Sequence, residues 1–301
     1  MKRHLLFTWL KGIFLALVVF FVGRRLVLDL SSLDLNGLKL NPWYLLAALG
    51  LEFLSRGCLG ASYYVLLKGR SDELPLAKCM QICWFSQLGK YIPGKLGLII
   101  GAAYFLDREK VERSMAIGMP LFITLGGVMT GICLGLPEIK AWEWAAGLGF
   151  TPNPWWGLGL VLILPLVTHG MGTVAATWFP KKFHWPRFRL TSLFQAHLLL
   201  LGQYLSFGVA GYLVLISLFP AGLVTIGEMI SFSSLAVASG VLVVLSPAGI
   251  GVREGVLLVL LNGEMVAGDA ALLIVLIRLV QTLADVGVGC VGGYFLKKSK
   301  N

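Results

Sequence analysis

Long apolar stretches recur along the whole chain, and short polar loops separate them. Six stretches are long enough to cross a hydrocarbon core of ~30 Å as α-helices. They lie near residues 5–23, 42–67, 115–136, 154–178, 191–216 and 270–296. Two further apolar segments, about 75–106 and 227–262, are each interrupted by a cluster of Pro and Gly residues. The pattern predicts an all-α polytopic membrane protein in which residues 1–301 form a single transmembrane domain.

The first apolar stretch follows Lys2 and Arg3, as the apolar segment of a secretory signal peptide would. No small-residue cleavage site comes after it, because the sequence continues Val22-Gly23-Arg24-Arg25. We therefore expect the first helix to be retained.

Composition agrees with the membrane class. Of the 301 residues, 57% are hydrophobic and 13% are charged, and the mean hydropathy is +0.83. Soluble domains carry about twice that charged fraction. The formal net charge of +10 does not indicate nucleic-acid binding, since basic residues of membrane proteins collect in cytoplasmic loops. The five cysteines and four histidines show no metal-ligand spacing, so neither a metal nor another cofactor is expected.

The basic residues also predict an orientation. If the N-terminus is cytoplasmic and each interrupted segment returns to its own side, fifteen of the 25 basic residues fall in cytoplasmic regions. The outer loops then hold only four, which are Arg24, Arg25, Lys39 and Lys140. This asymmetry favours a multi-pass protein with both termini in the cytoplasm.

The two interrupted segments resemble each other. The first reads PGKLGLIIG from Pro93 and the second reads PAGIGVREG from Pro247, an offset of 154 residues. The same offset carries the other predicted helices approximately onto one another, so residues 5–136 and 154–296 form a repeat. Each half contains three full transmembrane helices and one broken hairpin, either re-entrant or fully spanning. Because three crossings is an odd number, the second half is inverted, a pattern typical of transporters.

Ionisable residues fall at membrane depth in unusual number. The basic ones are Lys11, Arg56, Lys90, Lys95, Arg253 and Arg278, and the acidic ones are Glu52, Glu254 and Asp285. Each costs roughly 2.5–3.5 kcal/mol on insertion scales, and such residues usually mark a pathway or a paired site. The excess of positive charge indicates an anionic substrate.

The breaks in the two hairpins are candidate binding elements. Proline suits the start of a second helical arm, and glycine allows a positive φ and a close approach of a ligand. The residues concerned are Pro93, Gly94, Gly97, Pro247, Gly249 and Gly251. A helix N-terminus at such a break would attract phosphate. Lys90, Lys95 and Arg253 flank the breaks and are the predicted headgroup ligands.

Two further polar groups could line the same cavity. Arg278, Gln281, Thr282 and Asp285 share one face of a helix, and Glu52 and Arg56 form an i,i+4 pair on another. Arg278 and Arg56 are therefore additional candidate ligands, and Glu52, Glu254 and Asp285 are candidate counter-ions or proton carriers. The alternative is that these groups are ion pairs that only hold helices together.

The stretches GKYIPGKLG from Gly89 and SPAGIGVREG from Ser246 resemble the signature motifs of the lysylphosphatidylglycerol synthase transmembrane family. Its members include the flippase part of such synthases and stand-alone homologues of about this length. The resemblance implies lipid translocation in a prokaryotic cytoplasmic membrane. The chain has no segment that resembles the soluble synthase domain, so we expect no synthesis of the aminoacyl lipid.

Three functions are compatible with these features. The favoured one is a non-enzymatic flippase for an anionic lipid: a phospholipid, an aminoacyl-phosphatidylglycerol or a polyprenyl phosphate with or without a sugar. The alternatives are an intramembrane lipid-modifying enzyme and a non-catalytic accessory subunit of an envelope-lipid or glycan pathway. The expected partner is the lipid, together with a second copy of the chain or enzymes of envelope biosynthesis.

Overall fold

A computed structural model describes residues 40–91, 96–138, 154–178, 186, 188–220, 223–243 and 246–298. These residues form nine α-helices and no β-strand. The helices are α1 Pro42–Leu67, α2 Leu76–Gln87, α3 Leu96–Arg108, α4 Arg113–Gly135, α5 Pro154–Trp178, α6 Leu190–Leu218, α7 Ile226–Leu242, α8 Val252–Leu261 and α9 Ala267–Lys298. The all-α prediction is confirmed.

Five helices are long and apolar enough to cross a membrane: α1, α4, α6, α9 and residues Trp156–Val174 of α5. They correspond to five of the six full-length helices that the sequence predicts. The sixth, near residues 5–23, lies outside the described residues. The chain is thus a multi-pass membrane protein.

Both interrupted segments are broken where the sequence predicts. In the first, α2 continues into a 3-10 turn, Leu88–Tyr91, before α3 begins at Leu96. In the second, a 3-10 turn, Pro247–Gly249, separates α7 from α8. We call residues 88–95 the first break and residues 243–251 the second break; residues 92–95, including Pro93, Gly94 and Lys95, lie outside the described part.

The arms of these hairpins are short. The longest, α7, has 17 residues and α8 has 10. At 1.5 Å per residue these helices extend about 26 and 15 Å, less than the ~30 Å of the hydrocarbon core. The lengths favour hairpins that turn back inside the membrane.

We expected the second arm of the second hairpin to start at proline, but it does not. Pro247 starts the 3-10 turn, and α8 begins only at Val252. Ala248, Gly249 and Gly251 have φ values of 51°, 76° and 82°, which prevent the helix from forming earlier.

The helix contacts agree with the proposed repeat, because the offset of the repeat takes each pair of packed helices to another packed pair or to itself. Helix α1 packs along α6, α2 packs on α9, and α7 packs on α4. An offset of 154 residues takes α1 to α6, α2 to α7 and α4 to α9. The 3-10 turns of the two breaks also contact each other. The opposite orientation of the two halves in a bilayer remains a prediction.

An ion-pair network fixes the loops on one side of the helices. Arg70 pairs with Asp72 at 2.8 Å and with Glu112 at 2.9 Å, and the Glu112 amide donates to Asp72 Oδ2 at 2.9 Å. Burial raises the pKa of Asp72, but the Glu112 amide and Arg70 outweigh it, and the pKa falls below its ordinary value. The network joins the α1–α2 loop to the α3–α4 turn, both of which we expect in the cytoplasm.

Close backbone packing holds the first break together. A Cβ atom on Gly89 would overlap the carbonyl carbon of Gly97, and one on Gly97 would lie 2.9 Å from the Gly89 oxygen. Only glycine permits the 3-10 turn to approach the first turn of α3 this closely.

Gly89→Ala should therefore destabilise the fold by roughly 1–3 kcal/mol, the usual penalty for overpacking. The measurement is the midpoint of thermal unfolding in detergent. Gly57→Ala is the matched control, because a Cβ atom there meets nothing within 4 Å. Equal midpoints for the two variants would contradict the close contact.

Asp72→Asn should lower stability at neutral pH by about 1 kcal/mol or less, as expected for a partly exposed pair. Because the folded pKa lies below the unfolded one, this stabilisation is present above the ordinary pKa of about 4 and is lost as the pH falls through the folded value. Unfolding midpoints of wild type and variant should thus converge on acidification. The exposed Asp107 gives the control Asp107→Asn; a gap that is independent of pH would refute the assignment to Asp72.

Candidate functional site

A cavity of about 330 Å³ lies among α1 to α4, α6 to α8 and the two breaks. Most of its walls are aliphatic or aromatic. Three basic side chains, Arg56, Lys90 and Arg253, line it together. Because their positive charges converge on this space, we call it the cationic cavity.

The described residues do not enclose the cavity completely. Leu125 of α4 and Leu242 of α7 both line it, and they are 50% and 57% exposed. A bound molecule could therefore extend past these apolar side chains.

Asp285 of α9 joins two of the cavity's cations. Its Oδ1 accepts a hydrogen bond from Arg56 Nε at 2.7 Å, and its Oδ2 lies 2.6 Å from Lys90 Nζ. The Tyr91 hydroxyl donates to Oδ2 at 2.8 Å. One carboxylate thus links α1, the first break and α9, and it shares its single negative charge between the two basic residues.

Arg56 has a second acidic partner on its own helix. Its Nη1 lies 3.0 Å from Glu52 Oε2, which confirms the predicted i,i+4 pair, and 3.2 Å from Ser55 Oγ. Glu52 is 1% exposed and Arg56 is 5% exposed. Buried charges of this kind persist only when they are paired, so α1 presents Arg56 to the cavity in a fixed position.

Arg278 lies at the second break and does not line the cavity. Its Nε pairs with Glu254 Oε1 at 2.8 Å, and its Nη2 donates to the Ala248 carbonyl at 3.3 Å. The other Glu254 oxygen, Oε2, accepts from the Gly251 amide at 2.7 Å. Glu254 thus binds one amide at the helix N-terminus that the sequence suggested as a phosphate site, and the phosphate site itself stays a prediction.

Arg253 reaches the cavity across two glycines. A Cβ atom on Gly240 would lie 2.5 Å from Arg253 Cγ, and one on Gly249 would lie 2.8 Å from its Nε. The close approach of Gly240 in α7 and Gly249 in the second break leaves a channel for the side chain. Sequence reasoning identified Gly249 as a break residue but missed Gly240, which sits in an ordinary apolar helix.

Arg253 differs from the other cations in its electrostatic surroundings. Among the described residues, no carboxylate oxygen lies within 4.0 Å of its guanidinium. Its buried Nε also has no hydrogen-bond partner there. Among the described cations of the cavity, Arg253 is therefore the one that has no carboxylate partner and whose Nε could still donate to an anion.

The structure brings some predicted site residues together and separates others. Lys90, Arg253 and Arg56 share the cavity, whereas Arg278 stands behind the second break. Asp285 pairs with cations on other elements, not with Arg278 of its own stripe. Lys95 and Lys11 lie outside the described residues.

Several uncharged polar residues of the site were missed. Tyr91 follows Lys90 directly in the first motif and binds Asp285, a role that its hydroxyl alone does not reveal. Tyr204 and Gln203 of α6 and Gln87 of α2 line the cavity. Within the described residues the Gln203 carbonyl oxygen has no hydrogen-bond partner.

The arrangement fits an anion with an apolar remainder. The cations supply charge-assisted hydrogen bonds for phosphate or carboxylate oxygens, and the aliphatic walls accept hydrocarbon. A cavity of about 330 Å³ is at the small end for ligand pockets, which suits a headgroup more than a whole lipid. No group of three or more His, Cys, Asp or Glu residues that could hold a metal occurs in the part of the chain that is described.

No curated protein matches the chain. The family model described as the lysylphosphatidylglycerol synthase TM region matches residues 8–289. Since this match covers nearly all of the 301 residues, the chain belongs to the lysylphosphatidylglycerol synthase TM region family.

Proposed function

We propose that this protein is a flippase that moves an anionic, phosphate-containing lipid between the leaflets of a prokaryotic cytoplasmic membrane. The observation that carries the proposal is the cationic cavity, where Arg56, Lys90 and Arg253 converge inside a membrane domain and Arg253 has no carboxylate partner among the described residues. Ionisable groups at this depth usually mark a substrate pathway. The family, named after a lipid enzyme's membrane region, points to the same class of substrate.

The formal charge of the described residues at the site suits a singly charged headgroup, and Lys95 lies outside this count. Four cations, Arg56, Lys90, Arg253 and Arg278, stand against three carboxylates, Glu52, Glu254 and Asp285. One positive charge is left over among the described residues. A phosphodiester carries one negative charge, so a phospholipid or an aminoacyl-phosphatidylglycerol would neutralise it through its phosphate.

The exposed apolar side chains at the edge of the cavity would let a lipid fit. The phosphate would bind Arg253 inside the cavity, and the acyl chains would extend past Leu125 of α4 and Leu242 of α7 into the bilayer. A cavity that held the whole lipid would have to be several times larger. Transport then requires that the cavity open alternately to the two leaflets, which inverted repeats accomplish by rocking one half against the other.

Arg253→Gln should lower the rate of translocation of a fluorescent phosphatidylglycerol in liposomes at least about tenfold, because a charge-assisted hydrogen bond is lost. The matched control is Arg113→Gln, which removes an exposed positive charge at the start of α4. Liposomes without protein report nonspecific translocation. A non-catalytic accessory role predicts that the Arg253 variant and wild type move phosphatidylglycerol equally, and that result would overturn the proposal.

Gly240→Ala should impair the same transport although every charge is retained, because the new methyl group displaces the Arg253 side chain. We expect a several-fold lower rate. Gly255→Ala, on the hairpin arm that carries Arg253, is the control, since a Cβ atom there meets nothing within 4 Å. If both variants transport like wild type while remaining folded, the route of Arg253 across Gly240 has no functional importance.

A further inference from the structure

We propose that Asp285 competes with the headgroup phosphate for Arg56 and Lys90, and thereby sets how readily the lipid is released. This inference rests on the proposed flippase function. It assigns to a buried carboxylate the task of limiting the affinity of the site, in addition to any part it has in holding helices together.

The contacts of Asp285 place it in competition with the cavity. It is 2% exposed and is not a lining residue, yet it binds two of the three cations that are. Its oxygens lie 2.7 Å from Arg56 Nε and 2.6 Å from Lys90 Nζ. A phosphate in the cavity would bind the remaining N–H groups of the Arg56 guanidinium and the Lys90 ammonium, and these charge-assisted bonds would weaken those to Asp285.

The three cations therefore have unequal roles. Arg253 has no carboxylate within ion-pair distance in the described part of the chain, so it can attract the phosphate first. Arg56 and Lys90 already have carboxylate partners. Their contribution to the binding free energy of the phosphate is therefore only the difference between binding phosphate and binding Asp285. A translocation site needs this balance, because binding must be strong enough for loading and weak enough for departure.

Asp285 also connects the two halves of the chain. It belongs to α9 in the second half, whereas Arg56 on α1 and Lys90 in the first break belong to the first half. Glu52, by contrast, is on the same helix as Arg56 and would move with it. A shift of one half against the other would therefore change the distances from Asp285 to Arg56 and Lys90. The ion pair between Glu52 and Arg56 would stay intact.

A purely structural role for Asp285 predicts the opposite result on mutation. If the carboxylate only positions Arg56 and Lys90, its removal disorders both side chains and weakens the binding of the headgroup. If it competes with the headgroup, its removal frees both side chains and strengthens binding.

The test is Asp285→Asn, which keeps the size of the side chain and removes its charge. The purified variant should bind dihexanoyl-phosphatidylglycerol in detergent at least about fivefold more tightly than wild type, and should move fluorescent phosphatidylglycerol more slowly in liposomes. Asp269→Asn, at the start of the same helix α9, is the control for loss of a carboxylate. A folded Asp285→Asn protein with equal or weaker binding overturns the inference.

A charge-balanced variant covers the case in which Asp285→Asn does not fold. Lys90→Gln alone should weaken binding of the short-chain lipid, because one cation is lost. Lys90→Gln combined with Asp285→Asn leaves the net charge unchanged and frees Arg56, so binding should recover at least in part. If adding Asp285→Asn to Lys90→Gln restores no binding, Asp285 does not compete with the headgroup.

The wild-type protein separates the two hypotheses. If it binds and transports phosphatidylglycerol but the Asp285 variants bind no more tightly than their parents, only the inference about Asp285 fails. If the wild type neither binds nor moves phosphatidylglycerol, the proposed function fails and the inference with it.

Discussion

The structure depends on the need to compensate charge inside the hydrocarbon region. Asp285 holds Arg56 and Lys90, and Glu254 holds Arg278, so these ion pairs join α9 to α1, to the first break and to α8. An isolated charge at this depth would be expensive. The positions of α1, α9 and both breaks are therefore linked, since a change in one of them would leave a charge without its partner.

The breaks obey the corresponding rule for the backbone. Lipid offers no hydrogen bonds, so a non-helical segment in the membrane must find its partners within the protein. At the second break, Glu254 accepts from the Gly251 amide, Arg278 donates to the Ala248 carbonyl, and the Ser246 hydroxyl donates to the Ile250 carbonyl. The same charged side chains thus satisfy the backbone and one another. Arg278, which the sequence suggested as a ligand, takes part in these contacts.

The sequence was sufficient for the helices and the breaks because both depend on local properties. Hydropathy alone predicted residues 42–67 and 154–178 with the bounds that α1 and α5 have in the structure. The choice of ionic partners was not predictable in this way. Asp285 lies 229 residues from Arg56, and which cation it binds depends on how α9 packs against α1 and the first break. The role of Gly240 was not predictable for the same reason. The sequence of an apolar helix does not show whether a glycine in it faces lipid or an arginine from another element.

The two breaks offer different chemistry although the helices around them pack in corresponding pairs. At the first break Lys90 is neutralised by a carboxylate from the other half, while at the second Arg253 enters the cavity without one among the described residues. Glu254, the neighbour of Arg253, pairs with Arg278 through one oxygen and with the Gly251 amide through the other. The acidic residue nearest in sequence to Arg253 is thus engaged elsewhere. A symmetric distribution of ion pairs would have cancelled the charge at both breaks. Among the described residues the distribution departs from symmetry at Arg253, and the proposed binding of an anion rests on this difference.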